Sequence, residues 1–468
     1  MPLKIYNTLS RKKEEFVPLV EGRIGMYVCG VTVYDDCHLG HGRSAVAFDV
    51  IRRYLEKLDY KVTFVKNFTD VDDKIINRAN SDNKKPEELT EKYIESYYRD
   101  MDALGVRKAD IEPKATGHIN EMIGLISDLV KKGYAYENNG DVYFAVRKFK
   151  GYGKLSGRSL DELEAGARVD VNEQKKDPLD FALWKKSKPN EPWWDSPWGK
   201  GRPGWHIECS AMSKKYLGNT LDIHTGGQDL IFPHHENEIA QSEASTGVQF
   251  ARFWMHNGFV NINKEKMSKS LGNFFTITDI LKKYDGEVVR FFLLSTHYRS
   301  PIDYSDKELD SAGSSVKRIY NTLENIDDLM NRGTQKEKHD DADDEFLLKI
   351  KNSGEKFSEG MDDDFNTAEA VAAIFELVRE ANIYMGKDPA KDILLSAKNK
   401  IRELGNILGL FQKENKESIE EVVEQKIKER ELARTNKDFA ASDRIREELK
   451  NMGIILEDKK DGTRWKKE

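Results

Sequence analysis

Apolar residues fall into short runs of different period along the chain, and those periods predict its elements. Ile24 to Val28 is a short apolar run; from Ala45, apolar side chains recur at helical spacing through Phe48, Ile51, Leu55 and Leu58; Val62 to Val65 is β-branched and aromatic. Strand, helix and strand within about 45 residues make a βαβ unit, the building block of a parallel nucleotide-binding sheet. The α/β signal returns much later, with a strand expected over Thr220 to His224 and a helix over Leu230 to Glu243. An insertion, roughly Pro113 to Trp198, separates the halves. It carries a hairpin signal, Asn138-Asn139-Gly140 between Tyr134 to Glu137 and Asp141 to Val146, and its Pro- and Trp-rich end predicts an extended exit.

Beyond residue 305 the pattern is helical almost throughout, broken by a polar stretch near Arg332 to Glu345 whose acidic run, Asp340 to Glu345, reads as a solvated loop. Ile419 to Leu449 reads as one charged amphipathic helix. Gly453 to Trp465 alternates short apolar segments with the turn signal Asp461-Gly462, which predicts a small terminal α/β module.

Length and composition narrow the class. A chain of 468 residues exceeds what one core organises, so roughly two to four domains are expected. No apolar run approaches the ~20 residues that span a bilayer, and Met1 to Phe16 lacks the apolar core and cleavage site of a secretory signal. A cytoplasmic location without membrane contact is the expectation. The three cysteines, Cys29, Cys37 and Cys209, are too few and too odd in number for a disulfide framework, which turns attention to metal binding. The net charge of -7 does not advertise a nucleic-acid partner, although a global charge says little about local patches.

Three constellations carry chemistry. His38-Leu39-Gly40-His41 lies between the first strand and the first helix, where free backbone N–H groups favour phosphate; two ordinary surface histidines near a helix cap are the alternative. Lys266-Met267-Ser268-Lys269-Ser270 suits a loop that clamps pyrophosphate oxygens and then lets go, or else a solvated basic loop. His234 and Glu238, four apart on an expected helix, can join Cys209 and Cys29 in a tetrahedral zinc site, although buried free cysteines are common. His235 and Glu236 are expected to point off the His234/Glu238 face, and Cys37 shows no partner.

The first two motifs, in this order and about 225 residues apart, resemble the HIGH and KMSKS signatures of class I aminoacyl-tRNA synthetases. Longer segments make the resemblance specific: NFTDVDDK at Asn67 to Lys74, YGKLSGR at Tyr152 to Arg158, PGWHIECSAM at Pro203 to Met212, TGGQDLIFPHHENE at Thr225 to Glu238, HYRSPIDYS at His297 to Ser305 and MDDDFNTAEA at Met361 to Ala370. Over essentially its full length the chain resembles the cysteinyl-tRNA synthetases. Leu39 stands where the signature has isoleucine, a volume-conserving swap.

The resemblance implies an α/β fold: a Rossmann-like parallel-sheet catalytic domain from residues 1–112 and 199–260, a connective insertion at 113–198, a KMSKS-loop and stem-contact region at 261–310, a helical bundle at 311–410 and a C-terminal anticodon-binding module at 411–468. It implies one Zn²⁺ per chain on Cys29, Cys209, His234 and Glu238. ATP with Mg²⁺ would lie on His38, Gly40, His41, Gly226, Gly227, Asp229 and Lys269, with His38, His41, Lys266 and Lys269 as catalytic groups. Thr69, Trp205, His206 and His224 would surround L-cysteine, and tRNA(Cys) would take the product on its 3′-terminal ribose. A monomer is expected, since no dimerisation heptad is present. A ligase joining cysteine to an amino-sugar, a zinc hydrolase and a nonenzymatic RNA-binding module are the competing classes. The first would not need the C-terminal segment, and the others leave one or both signature motifs without a purpose.

Overall fold

The apolar run at Ile24 is the first half of a longer strand, Arg23–Thr32, the first laid into a four-stranded parallel sheet. In this computed structural model the described residues are 2–166, 175–262, 265–266, 275–332, 336, 339–413, 419–435, 438–451, 453–459 and 462–467. The sheet runs Ala251–Asn257, Leu221–Gly227, Arg23–Thr32, Lys61–Thr69. All three pairings are parallel. The chain leaves the first strand towards Lys61–Thr69 on one side and later returns to its other side, so strand order reverses between Arg23–Thr32 and Leu221–Gly227. That is the Rossmann-like switch point, where ligands of such sheets bind.

The helix after the first strand spans Leu39–Lys57 and starts well before Ala45. Periodicity misses its start because the interior positions between Leu39 and Ala45 are Gly42 and Arg43, a glycine and a charged residue. Arg43 and Asp49 are almost wholly buried. Arg43 Nη2 donates to the Thr296 and His297 carbonyls at 3.0 and 2.8 Å, and Asp49 Oδ2 accepts from Arg290 Nη2 at 2.5 Å and Arg53 Nε at 2.8 Å. Burying charge is costly unless it is paired, and here Arg290 joins this helix to Gly286–Leu294 while Arg43 joins it to the loop that follows.

The insertion's hairpin pairs Ala135–Asn138 with Asp141–Phe144, and positive φ at Asn139 (55) and Gly140 (91) suits the tight turn that matches strand twist. Its sheet continues through Phe181–Lys186 to Gly201–Pro203, beyond Trp198, because Trp184 to Lys186 need partners and find them at Gly201 to Pro203.

Four helices follow, Asp306–Asn331, Asp341–Asp362, Thr367–Met385 and Lys391–Leu408. The acidic run is not a loop, and this corrects the sequence reading. Asp340 is the N-cap of Asp341–Asp362; it accepts from the Ala342 and Asp343 N–H groups at 2.9 and 3.2 Å, while Asp343 accepts from the Asp340 N–H at 2.8 Å. Carboxylates gather there because a helix N-terminus offers unpaired donors and partial positive charge.

These elements belong to one unit, Met1–Phe411; Gln412–Glu468 is the other. In the second unit the single expected helix is two, Ile419–Thr435 and Phe439–Asn451. The break falls at Asp438, whose N–H returns to the Ala433 carbonyl at 2.8 Å while its side chain accepts from the Ala441 N–H at 3.0 Å. A hairpin, Ile454–Lys459 with Gly462–Lys467, closes the unit; the expected turn residue Asp461 lies outside the described residues. Trp465 is half-buried against Val423, Ile427, Leu449, Ile454 and Leu456 and pairs in register with Leu456.

Replacing Asp340 by Ala removes the cap of Asp341–Asp362 and is expected to lower unfolding free energy by about 1 kcal/mol. Urea titration checks this through an earlier midpoint at unchanged slope; an unmoved midpoint would show that packing alone fixes that helix start.

Candidate metal and nucleotide site

A cleft of about 530 Å³ opens at the C-terminal edge of the sheet, lined among others by Cys29, His38, Gly40, His41, Trp205, Gly227 and Asp229. Local backbone irregularity delivers Cys29 to it. The register between the first and second strands shifts from Val28↔Lys66 to Val31↔Phe68, so Cys29 and Gly30 bulge opposite Asn67. Asn67 Oδ1 accepts the Gly30 N–H at 2.9 Å, and a Cβ on residue 30 would lie 1.5 Å from the Asn67 carbonyl oxygen. Only glycine fits there.

Cys29, Cys209, His234 and Glu238 converge at this bulge, with one donor atom of each within 4.8 Å of the others, and all four are buried. Cys29 Sγ lies 3.7 Å from Cys209 Sγ and 3.4 Å from Glu238 Oε1, which is 3.0 Å from His234 Nε2. Burial opposes ionisation of Glu238, yet His224 and His234 hold it well below the usual carboxylate range. Burial likewise opposes a charged His234 and a Cys209 thiolate, but Glu238 and the Cys209 sulfur raise His234 to about 10, and the Cys29 thiol and His234 hold Cys209 at about 6. Burial pushes Cys29 well above the ordinary thiol value. The donor chemistry fits zinc: two sulfurs, one imidazole nitrogen and one carboxylate oxygen suit a borderline-soft tetrahedral ion, and such an ion would displace the protons that these groups now share.

His235 corrects a reading from the sequence. Its Nε2 lies 3.3 Å from Cys29 Sγ and 3.9 Å from Glu238 Oε1, so it faces the cluster. The expected helix from Leu230 is not regular: Ile231–His235 is a wide turn with extended backbone at Phe232, and the α-helix begins only at Glu236. Face arguments at 3.6 residues per turn therefore do not apply. Cys29, His224, His235 and Glu238 form a second convergent set. Two features favour the first set for zinc. It holds both thiols, and His234 stacks at 4.2 Å on Trp205, which lines the cleft. In the second, His235 Nδ1 is 2.8 Å from His256 Nε2, while His224 is fully buried and stacks on Trp254.

The residues expected around an amino-acid substrate divide. Trp205 faces the cleft. His206 Nδ1 is 3.0 Å from His234 Nδ1, behind a metal-ligand candidate. His224 Nε2 bonds Glu238 Oε2 at 2.8 Å and does not line the cleft. Thr69 is buried and donates to Glu208 Oε2 at 2.7 Å. Glu208, which sequence reasoning passed over, is fully buried, and burial raises its pKa well above the usual value. Glu236, also set aside, accepts from the Ser156 N–H at 2.8 Å and so ties YGKLSGR to the site helix. Cys37 is buried and its thiol is pushed up to about 12, chiefly by burial, which leaves it inert.

On the nucleotide side, His38 caps the Leu39–Lys57 helix. Its Nδ1 accepts from the His41 N–H and His41 Nδ1 accepts from the His38 N–H, each at 3.3 Å, and the rings stack at 3.7 Å. An Nδ1 that accepts leaves the ring proton on Nε2, so each imidazole is a donor for a phosphate oxygen beside the helix N-terminus. Gly226 is not at the cleft surface; a Cβ there would meet the His235 ring at 2.8 Å. Asn257 and Gly258 line the cleft and were not anticipated; buried Asn257 Oδ1 has no hydrogen-bond partner among the described residues. Lys266 ends a short strand paired with Asn261, and Lys269 lies outside the described residues.

Comparison with known proteins gives three family matches: tRNA synthetases class I (C) catalytic domain over residues 15–314, DALR domain over 356–412, and cysteinyl-tRNA ligase anticodon binding domain over 418–465. The cysteine–tRNA ligase of Geobacter metallireducens is 55% identical over 484 aligned residues that cover 100% of each chain. That of Thermodesulfovibrio yellowstonii is 56% identical, covering 99% of each. Among solved structures, Mycobacterium tuberculosis methionyl-tRNA synthetase in complex with methionyl-adenylate aligns with TM-score 0.60 at 16% identity, over 82% of this chain and 89% of that one. At that identity the likeness concerns the fold.

Cys209→Ser is expected to lose bound zinc, since it removes one of two thiolate donors, while circular dichroism stays close to wild type. Metal analysis of the purified variant checks this; full zinc content in Cys209→Ser would rule out the first donor set.

Proposed function

The chain belongs to the cysteinyl-tRNA synthetase family of class I aminoacyl-tRNA synthetases, and from that premise we propose that it activates L-cysteine with ATP and transfers it to the 3′-terminal ribose of tRNA(Cys). The observation that carries the reading is a thiol-rich donor cluster that reaches, through Cys29, the same cleft as a histidine-capped helix N-terminus. A hydrolase would have no use for the second, and a ligase acting on an amino-sugar none for residues 418–465.

In the first step the cysteine carboxylate attacks the α-phosphate of ATP, and pyrophosphate leaves. The Nε2–H groups of His38 and His41, with the backbone N–H groups of the first turn, hold phosphate oxygens as charge shifts onto them. Gly40 lets the nucleotide approach the backbone. Gly227 and Asp229, with Asn257 and Gly258, form the wall against which adenosine lies. Mg²⁺ accompanies the nucleotide and neutralises its charge. Lys266 and Lys269 serve the pyrophosphate. In the second step a terminal ribose hydroxyl of the tRNA attacks the adenylate carbonyl and AMP departs.

Cys29, Cys209, His234 and Glu238 would hold one zinc ion, which supplies a borderline-soft site for a thiolate that serine's far less acidic hydroxyl does not match. The protein's part is orientation. His224 holds Glu238 through its second oxygen, His206 faces the outer nitrogen of His234, and Trp205 stacks on that ring between cluster and cleft. Such outer partners fix ligand direction. With selection made at the sulfur, no editing domain is required.

Anticodon contact is assigned to residues 418–465. Trp465 serves that unit's core, so base recognition falls to its exposed positions. Truncation must fall after Lys413, not near residue 410, because Phe411 is fully buried and its N–H donates to Glu287 Oε1 at 2.5 Å. A chain ending at Lys413 is expected to keep cysteine-dependent pyrophosphate exchange while kcat/KM for tRNA charging falls about tenfold or more. Equal loss of both activities would contradict the assignment, as would undiminished charging.

A further inference from the structure

Two segments that stand out in the sequence, His297 to Ser305 and Met361 to Ala370, have no place in the chemistry above, and the structure brings them together. Asp364 lies in the turn between Asp341–Asp362 and Thr367–Met385, with its carboxylate fully buried. Oδ1 accepts from the Tyr298 hydroxyl at 2.9 Å and from the Tyr6 backbone N–H at 2.8 Å. Oδ2 accepts from Arg299 Nε at 2.6 Å and lies 3.5 Å from His297 Nε2.

The two residues that this carboxylate holds by their side chains hold the cleft wall by their backbones. The Gly258 N–H donates to the Tyr298 carbonyl at 2.8 Å, and Gln228 Nε2 donates to the Arg299 carbonyl at 3.2 Å. Gly258 lines the cleft, and Gln228 sits between Gly227 and Asp229, which also line it. There is no slack in the contact, since a Cβ on residue 258 would lie 2.4 Å from the Ser300 carbonyl oxygen. Arg43, in the helix that His38 caps, grips the same loop through the Thr296 and His297 carbonyls.

The backbone at Asp364 is costly. Asp364 and Phe365 are consecutive non-glycine residues with φ of 65 and 53. L side chains seldom adopt that region, least of all bulky ones, and the conformation persists only where surrounding contacts over-determine it. Here the Asp364 N–H donates to the Lys4 carbonyl at 2.9 Å, Phe365 is buried beside it, and the turn aims the carboxylate at Tyr298 and Arg299.

We propose that Asp364 is a positioning residue for the nucleotide: through Tyr298 and Arg299 it fixes the Gly258 and Gln228 wall where ATP needs it, and so links nucleotide affinity to the helical region. The inference rests on reading the cleft as the ATP site. A carboxylate that served stability alone would, on removal, lower the melting temperature and disturb both substrates alike.

The test is cysteine-dependent ATP–pyrophosphate exchange by the full-length, zinc-loaded enzyme and two variants. Asp364→Asn keeps the shape and removes the charge. Arg299→Gln removes the same ion pair from its more exposed end, leaving Asp364 its bonds to Tyr298 and Tyr6, so it decides the matter if Asp364→Asn folds poorly. In both, KM for ATP is expected to rise about tenfold, with KM for cysteine, kcat and zinc content within about twofold of wild type. Arg299→Lys, which retains the cation, should recover part of the loss. An unchanged KM for ATP in Arg299→Gln overturns the proposal, as does a parallel rise in both KM values. A wild-type enzyme with no cysteine-dependent exchange removes the reading of the cleft and this inference with it.

Discussion

A fully buried carboxylate, Glu238, is the constraint around which the catalytic half is arranged. An ionised group at that depth is tenable only with compensating charge and hydrogen bonds, and the fold supplies them from three directions. His224 comes from the sheet, His234 from the turn before Glu238's own helix and the Cys29 thiol from a bulged strand, while Cys209, on a neighbouring helix, completes the donor set. Local departures from regular backbone bring the donors together. Gly30 allows the bulge at Asn67, Gly226 clears room for His235, and the wide turn at Ile231–His235 sets the histidines at angles that a regular helix would not give. The irregular backbone collects at the switch point, beside the His38-capped helix N-terminus, so the proposed selection of the side chain and activation of the carboxylate share one cleft.

The parts of this arrangement that were legible in the sequence are those whose chemistry is rare. Cysteines beside histidines and a glutamate stand out at any spacing, and His38 to His41 stands out by its place between a strand and a helix. What periodicity missed has a common cause, polar residues doing buried work. The Leu39–Lys57 helix begins earlier than its apolar pattern because the interior positions near its start include Gly42 and the charged Arg43. The acidic run at Asp340 looked solvated because its role, capping a helix, depends on backbone donors that composition does not reveal. His235 was set aside by a helical-wheel argument that fails where the backbone departs from 3.6 residues per turn. Glu208 and Asn257 carried no signal, being single polar residues whose burial only the fold creates.

The helical region after residue 305 is more than a spacer. Arg290 ties the Asp49 carboxylate to the Leu408 carbonyl at 2.7 Å, and Asp364 reaches the loop behind the cleft wall at Gly258. Both contacts put a charge inside the protein, where it is only tolerable when its partners stay in place. Movement of those helices would therefore be felt at the cleft.

The account stands on the coordination of one ion by Cys29, Cys209, His234 and Glu238 and on its preference for a thiol. X-ray absorption at the zinc edge of the full-length enzyme, measured alone, with cysteine and with serine, tests both at once. The account predicts two sulfur neighbours at about 2.3 Å in the free enzyme, a third on adding cysteine, and no change with serine. A single sulfur with two or more imidazoles would instead place zinc on the His224 and His235 set, and a sulfur shell that cysteine leaves unaltered would contradict selection at the metal.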